Sequence, residues 1–213
     1  MTVVKLYDAV WAPSPRRVRI YLAEKGITVE RELVDLRVGE QFGDAYLAVN
    51  PRGMVPALQL DDGEVICESA AICRYFEAVQ PDPPLFGRTP IEIARVESAT
   101  RRIEHEGYAA AVYVLRNGNP AFAGRSAAGK WPEMAQIPEL AARGMLMWEV
   151  FVEALDQSLA DRAWVAGEAY SFADITALTT IDFAKAIKLL VPDKARHLKR
   201  WHEAASARPS AAA

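Results

Sequence analysis

The sequence predicts a mixed α/β segment followed by an all-helical one, on three observations. Residues 3–34 spell strand, helix, strand. Residues 55–79 spell a Val-Pro step, a hairpin and a helix. After the proline-dense residues 80–87, QPDPPLFG, strand signals largely vanish. A first domain over 1–80, a linker over 81–88 and a helical domain over 89–213 follow from that order.

The composition supports a folded chain and narrows its function. Of 213 residues, 51% are hydrophobic, enough for a sizeable core. Lys+Arg 25 against Asp+Glu 28 gives a formal net charge of -3, which predicts neither nucleic-acid nor acidic-membrane binding. The 2 cysteines, Cys67 and Cys73, have no Cys-x-x-Cys spacing and no histidine cluster. That argues against a disulfide framework, a zinc site or a dithiol centre, and for a reducing compartment. The start, MTVVKLYDAV, lacks the basic residues and cleavage site of a secretory signal, and no stretch reaches the ~20 apolar residues of a membrane span. The expected location is cytoplasmic.

In chain order, residues 3–7 are strand formers. A loop with Trp11 and Pro13 follows. The next helix has Ser14 as cap, Pro15 at its first position, an apolar stripe of Val18, Tyr21 and Leu22, and Gly26 as stop. Residues 29–34 make the second strand of a βαβ unit, and residues 37–47 hold at most a short irregular helix. Pro56 forces Val55 into extended backbone and has no N–H for a ladder, so a strand begins only at Ala57. Asp62-Gly63 turns it, and residues 64–67 return. Ser69 caps a helix whose stripe is Ile72, Tyr75, Phe76 and Val79.

Beyond the linker, residues 90–115 and 137–159 read as long helices around a polar break at 116–132. Ser171 and Asp174 form a capping box, with Tyr170 and Ile175 placed as a staple, before a buried helix. A last helix spans 192–207, and the tail from 206 is expected to fray.

The stretch NPRGMVPAL followed by ESAAICRYF, within this order of elements, resembles the cytosolic glutathione transferase family, of theta-, zeta- or nu-like bacterial type. The resemblance implies an N-terminal thioredoxin-like domain and a C-terminal helical bundle. It implies that Pro56 is cis, that Val55 offers its backbone to the cysteinyl part of glutathione, and that Glu68 and Ser69 bind the γ-glutamyl end. Gln41 and Met54, the latter through its backbone, flank the glycine end. Glutathione is then a co-substrate, no metal is required, and a homodimer is expected.

The residues alone suggest part of this. A helix start is a seat for a carboxylate, and Glu68 beside it can hold an ammonium. The thiol to be activated belongs to glutathione, so the protein must favour its thiolate. Ser14 at a helix start suits that task, and equally suits plain capping. Relatives place Asn, Cys or Ser at the position of Ser14, whereas the earlier serine of theta- and zeta-like members is Ala12 here. Tyr7 is the second catalytic candidate, from alpha-, mu- and pi-like members, and as a strand tyrosine it is also a core candidate. Cys67 reads as an inert small hydrophobe. Trp11, Tyr108, Val112 and Arg116 are candidates for lining the site of a small hydrophobic electrophile, or for ordinary packing. Two other functions stay open: a non-catalytic interaction or regulatory protein of the same fold, and a maleyl-type isomerase using glutathione.

Overall fold

The computed structural model describes residues 4–213; Val3, expected to open the first strand, lies outside the described residues. The chain divides into two compact units. One comprises the residues before Pro84 together with Ala128–Pro132, and the other Pro84–Ala127 and Glu133–Ala212.

The first unit is built on a four-stranded sheet of order β2-β1-β3-β4. Strand β1 (Lys5–Asp8) runs parallel to β2 (Glu30–Leu33) across helix α1 (Pro13–Lys25), and antiparallel to β3 (Ala57–Gln59). A turn through Asp62 and Gly63 joins β3 to β4 (Val65–Cys67), which leads into α3 (Ser69–Val79). Residues 37–47 resolve into a 3-10 turn, Glu40–Phe42, and a short helix α2 (Asp44–Val49).

Successive strand residues face opposite sides. Leu6 and Leu58 are fully buried, as are Val18, Ile20 and Tyr21 of α1 and Ile72 and Cys73 of α3. Tyr7 and Ala57, the alternate positions, gather with Val34 and Tyr46 into a second cluster. Tyr21 and Lys25 both reach Glu77 on α3, at 2.5 and 2.6 Å, and lock the two helices together.

The first helix corrects the expected cap. It begins at Pro13, with Ala12 as N-cap and no side-chain cap. Pro13 and Pro15 both suit an early helical position, so the local rule could not choose between them. Ser14 therefore sits inside the first turn. Similarly, Glu68 and not Ser69 holds the N-cap position of α3, with φ 71° and ψ 121°.

In the second unit, α4 (Pro90–Arg102), a π-helical turn (Ile103–Tyr108) and α5 (Ala109–Gly118) form one interrupted helix where a single one was predicted. Thr89 caps it in a box with Glu92. Helices α6 (Pro138–Ser158), α7 (Phe172–Ala186) and α8 (Arg196–Ser206) complete the unit. Asp174 is fully buried. Its carboxylate accepts the Ser171 amide and hydroxyl, the Val165 amide and the Trp201 indole N–H, all at 2.8 to 3.0 Å. The tail does not fray. Pro209–Ala212 form a 3-10 turn that buries Ser210, and Arg208 lies 4.0 Å over the Tyr170 ring.

Candidate functional site

Sheet register decides which of the candidate residues meet. Tyr7 stands opposite Ala57, and Ala57 opposite Cys67. The last turn of the sheet therefore places three exits side by side: the loop into α1 with Ser14, the Val55-Pro56 step entering β3, and Glu68-Ser69 leaving β4. The Val55-Pro56 peptide is cis.

Each exit is held by polar contacts. Asp8, fully buried at the end of β1, pairs with Arg19 at 2.6 Å, and Arg19 donates a second bond of 2.7 Å to the Val10 carbonyl. Burial lowers the Arg19 pKa, while the Asp8 carboxylate beside it favours the charged form. A buried pair of this kind contributes little net stability but is costly to break, so its structural product is a fixed β1–α1 loop. That loop carries Trp11, which is 62% exposed.

The segment before Pro56 is held from inside. The Met54 carbonyl accepts the Tyr46 hydroxyl at 2.6 Å and the Asn50 amide at 2.7 Å. Met54 was expected to offer its backbone to glutathione, and its carbonyl is committed to the protein. Burial pushes the Tyr46 phenol up, which keeps it a donor.

At α3, Ser69 is 2% exposed and its Oγ accepts Arg17 Nε at 3.1 Å and Nη2 at 2.6 Å. No spacing rule links residues 52 apart, so this contact of Arg17 is not visible in the sequence. Glu68 keeps its carboxylate 61% exposed, 3.7 Å from Arg52. Its positive φ is uncommon for a residue with a Cβ and is found where surrounding structure enforces it. Together the start of α3 offers helix N–H groups and a hydroxyl for an anion, with a carboxylate beside them for a cation.

Tyr7 is engaged by neighbours in its own unit. Its ring meets Tyr46 edge-on at 5.6 Å, and its hydroxyl donates to Gln59 at 3.1 Å. Gln59 pairs with Lys5, so the hydroxyl leans along the sheet away from the α1 exit. The Tyr7 hydroxyl is thus engaged within the sheet. Gln41 is buried and its Oε1 has no hydrogen-bond partner among the described residues. Burial raises the Cys67 thiol pKa, with the Glu68 charge adding to it, so the thiolate is disfavoured.

In the second unit, Tyr108 ends the π turn and packs its ring 5.7 Å from Phe183. Val112 is half-buried. Arg116 donates to the carbonyls of Arg125 and Ala127 at 3.1 and 3.3 Å and lies 4.5 Å over Phe122. Burial lowers its pKa, and its evident task is to order the loop after α5. A cavity of about 610 Å³ in this unit is lined by Arg95, Ser98, Phe151 and Arg162 among others, and by none of Tyr108, Val112 and Arg116. Among the described residues there is no group of three or more His, Cys, Asp or Glu able to hold a metal, and no helix long and apolar enough to cross a membrane.

Comparison with known proteins gives a consistent result. Residues 11–79 match the family model of the glutathione S-transferase N-terminal domain, and residues 148–209 that of the C-terminal domain. The chain is 34% identical over 207 residues to glutathione S-transferase 2 of Saccharomyces cerevisiae, covering 96% of this chain and 86% of that protein. The crystal structure of Gtt2 from the same yeast superposes with a TM-score of 0.88 at 33% identity, covering 97% of each chain. A maleylacetoacetate isomerase of Pseudomonas aeruginosa is 45% identical over 94 residues, 43% of this chain and 44% of that one.

Proposed function

Because the chain belongs to the glutathione S-transferase family, we propose that it binds glutathione and promotes attack of the glutathione thiolate on a small apolar electrophile. The observation that carries this reading is the register Tyr7–Ala57–Cys67, which gathers the starts of α1 and α3 and the cis Val55-Pro56 step at one edge of the sheet. The cysteinyl backbone of glutathione pairs with Val55, and its γ-glutamyl carboxylate sits at Ser69 with its ammonium on Glu68. The thiol then meets the first turn of α1. There the helix N–H groups and the Ser14 hydroxyl stabilise a sulfur anion and lower the thiol pKa.

In the reaction the thiol proton leaves to solvent and the sulfur forms a bond to carbon. The electrons displaced leave with a halide-type leaving group, or are quenched by a proton in an addition. The electrophile is a small apolar molecule, for which the exposed Trp11 is a candidate contact. The family's homodimer is supported here by exposed apolar side chains on α6, Met145, Leu146 and Val150, each more than half exposed. Two free cysteines, one buried and one half-buried, suit a reducing, cytoplasmic setting.

The test is glutathione-affinity retention followed by conjugation of chloro-dinitrobenzene. Ser14→Ala should raise the pKa of the bound thiol by about one unit, about tenfold less thiolate near neutrality, read as thiolate absorbance against pH. Tyr7→Phe should leave that titration unchanged. A folded sample that does not retain on glutathione ends this reading. Retention without any conjugation moves the protein to the non-catalytic, interaction or regulatory function.

A second reading is favoured by the identity with the maleylacetoacetate isomerase over 94 residues. There the thiolate adds to a cis double bond, rotation follows about the resulting single bond, and elimination returns the thiolate with the trans product. Turnover of maleylacetoacetate without net loss of glutathione would select it.

A further inference from the structure

The chain's formal net charge of -3 conceals a local excess of the opposite sign. Residues 185–199, KAIKLLVPDKARHLK, run from the last turn of α7 into α8. They carry five cations, Lys185, Lys188, Lys194, Arg196 and Lys199, against one carboxylate, Asp193. Asp193 is taken by Lys199. Lys185, Lys188, Lys194 and Arg196 are exposed and make no side-chain ion pair or hydrogen bond among the described residues. Like charges gathered in this way repel one another, so collecting them lowers stability unless an anion meets them.

Apolar residues stand in the middle of these cations. Leu190 is 65% exposed, and Leu189 and Val191 beside it are half-buried. The tip is held in place by two bonds. The Leu189 amide closes α7 on the Ala184 carbonyl at 2.9 Å, and the Trp148 indole N–H of α6 donates to the Leu190 carbonyl at 3.3 Å. Lys188 has φ 67°, a conformation usually left to glycine at a helix end. A glycine would make the same turn without strain, so the lysine brings something besides the turn. Next to the tip lies a groove of about 320 Å³, with the buried Ile181 and Leu198 as floor and Lys185 and Lys199 among its lining. Glu203 is the one carboxylate lining it among the described residues. The charge is one-sided, because a second groove that Leu190 borders, of about 460 Å³, is lined by Glu149, Glu153 and Asp156.

Lysines around exposed leucines fit the boundary between water and hydrocarbon. Leu189, Leu190 and Val191 gain by leaving water, while lysine stems lie along apolar surface with their ammonium groups at headgroup level. Each ammonium there is attracted by anionic lipid. A nucleic acid offers the same phosphate charge but no place for leucines, and residues 185–199 hold no aromatic side chain on which a base would stack. We propose that the end of α7, the loop 187–195 and the start of α8 form a docking surface for a membrane containing anionic phospholipid. Leu190 enters the headgroup layer, and Lys185, Lys188, Lys194 and Arg196 meet the anionic headgroups. The attachment is peripheral and reversible, and it needs nothing from the glutathione site. Its consequence for the proposed chemistry is place: an apolar electrophile dissolves in a bilayer, and docking sets the protein beside it.

Sedimentation of the full chain with sucrose-loaded vesicles tests this, using phosphatidylcholine alone and phosphatidylcholine mixed with phosphatidylserine. The unaltered protein should sediment with the mixed vesicles, stay behind with phosphatidylcholine alone, and be released as salt is raised. Lys185→Gln and Lys188→Gln should each weaken the partition by about fivefold. Leu190→Ser, which leaves the charge intact, should weaken it by about tenfold. Lys130→Gln removes the same charge from an exposed residue elsewhere and should leave the partition unchanged. All four replace exposed side chains, and an unaltered far-ultraviolet circular dichroism spectrum shows that each variant is folded. The proposal is overturned if the unaltered protein ignores the mixed vesicles, if Lys130→Gln weakens binding as much as Lys188→Gln, or if Leu190→Ser binds as before. Retention of duplex DNA without sedimentation would assign the cations to nucleic acid and overturn it as well. None of these outcomes touches the glutathione reading, whose own test is retention on glutathione.

Discussion

Arg17 sets Nε and Nη2 3.1 and 2.6 Å from the Oγ of Ser69, joining the first helix to the first residue of α3. A serine hydroxyl has two acceptor lone pairs and one proton. Both N–H groups use Ser69 as acceptor, so the role left to its hydroxyl is to donate. A donor beside a helix start selects an anion, in the proposed complex the γ-glutamyl carboxylate, and Arg17 is the residue that fixes the hydroxyl's orientation.

The expected outcome is that Ser69→Ala and Arg17→Met each raise the glutathione Kd by about tenfold, near 1.4 kcal/mol. The double variant should lose less than the sum, because Arg17 acts partly through Ser69. A double-mutant cycle by calorimetry checks it. Additive losses would mean that Arg17 acts on the ligand independently of the serine.

The state of Cys67 leads to a second expectation. Burial and the Glu68 carboxylate hold its thiol above the ordinary value of 9.0, and Arg52 only partly opposes them. Its folded pKa exceeds the unfolded one, so this group's contribution to stability falls as pH rises from 9.0 through the raised value. Alkylation by iodoacetamide should therefore be slow at neutral pH and accelerate only above pH 9 in the folded protein. Cys67→Ala should leave conjugation unchanged. A fast-reacting Cys67 near pH 7, or lost activity in the alanine variant, would contradict this.

The parts of the chain that sequence made legible are those whose signals are local. The Val-Pro step, the Asp62-Gly63 turn, Ile72 and Phe76 of the α3 stripe and the Ser171–Asp174 box each lie within a few residues, and the structure has each of them, whereas Val79, read as part of the same stripe, is 64% exposed. Contacts between distant residues were invisible. Arg17 meets Ser69 across 52 positions, and Lys130 reaches Arg52 from another part of the chain. The tail was misread for the same reason. Its alanines suggest fraying, but the Tyr170 ring under Arg208 and the burial of Ser210 depend on partners that composition cannot show. The π turn before Tyr108 likewise interrupts a periodicity that reads as unbroken helix.

Asp174 carries the largest predicted effect on stability. Removing its carboxylate would leave the amides of Val165 and Ser171 and the Trp201 indole N–H buried without their acceptor. Asp174→Ala should cost about 3–5 kcal/mol, read by urea denaturation, with Asp174→Asn intermediate because it keeps one acceptor. Burial raises the Asp174 pKa, against the four hydrogen bonds that favour the carboxylate. The folded form thus keeps its proton to higher pH than the unfolded chain. On this group alone, stability falls as pH climbs from 3.8 through the raised value, and is constant above it. Asp174→Asn should flatten that slope.

Glu68 offers a test in which stability and binding separate. Its φ of 71° costs a residue with a Cβ about 1 kcal/mol or more, and its carboxylate, 61% exposed and 3.7 Å from Arg52, contributes little to the fold. Nothing in the packing requires glutamate there, so the strain is repaid only if that carboxylate is needed by a ligand. Glu68→Gly removes the strain and the charge together. It should raise the melting temperature by a few degrees while weakening glutathione by about tenfold, through loss of the ammonium contact. Glu68→Gln, which keeps the backbone demand and drops the charge, should weaken binding to a similar extent with no gain in stability. If Glu68→Gly binds glutathione unchanged, the γ-glutamyl ammonium is held elsewhere, and the positive φ serves the turn from β4 into α3 instead.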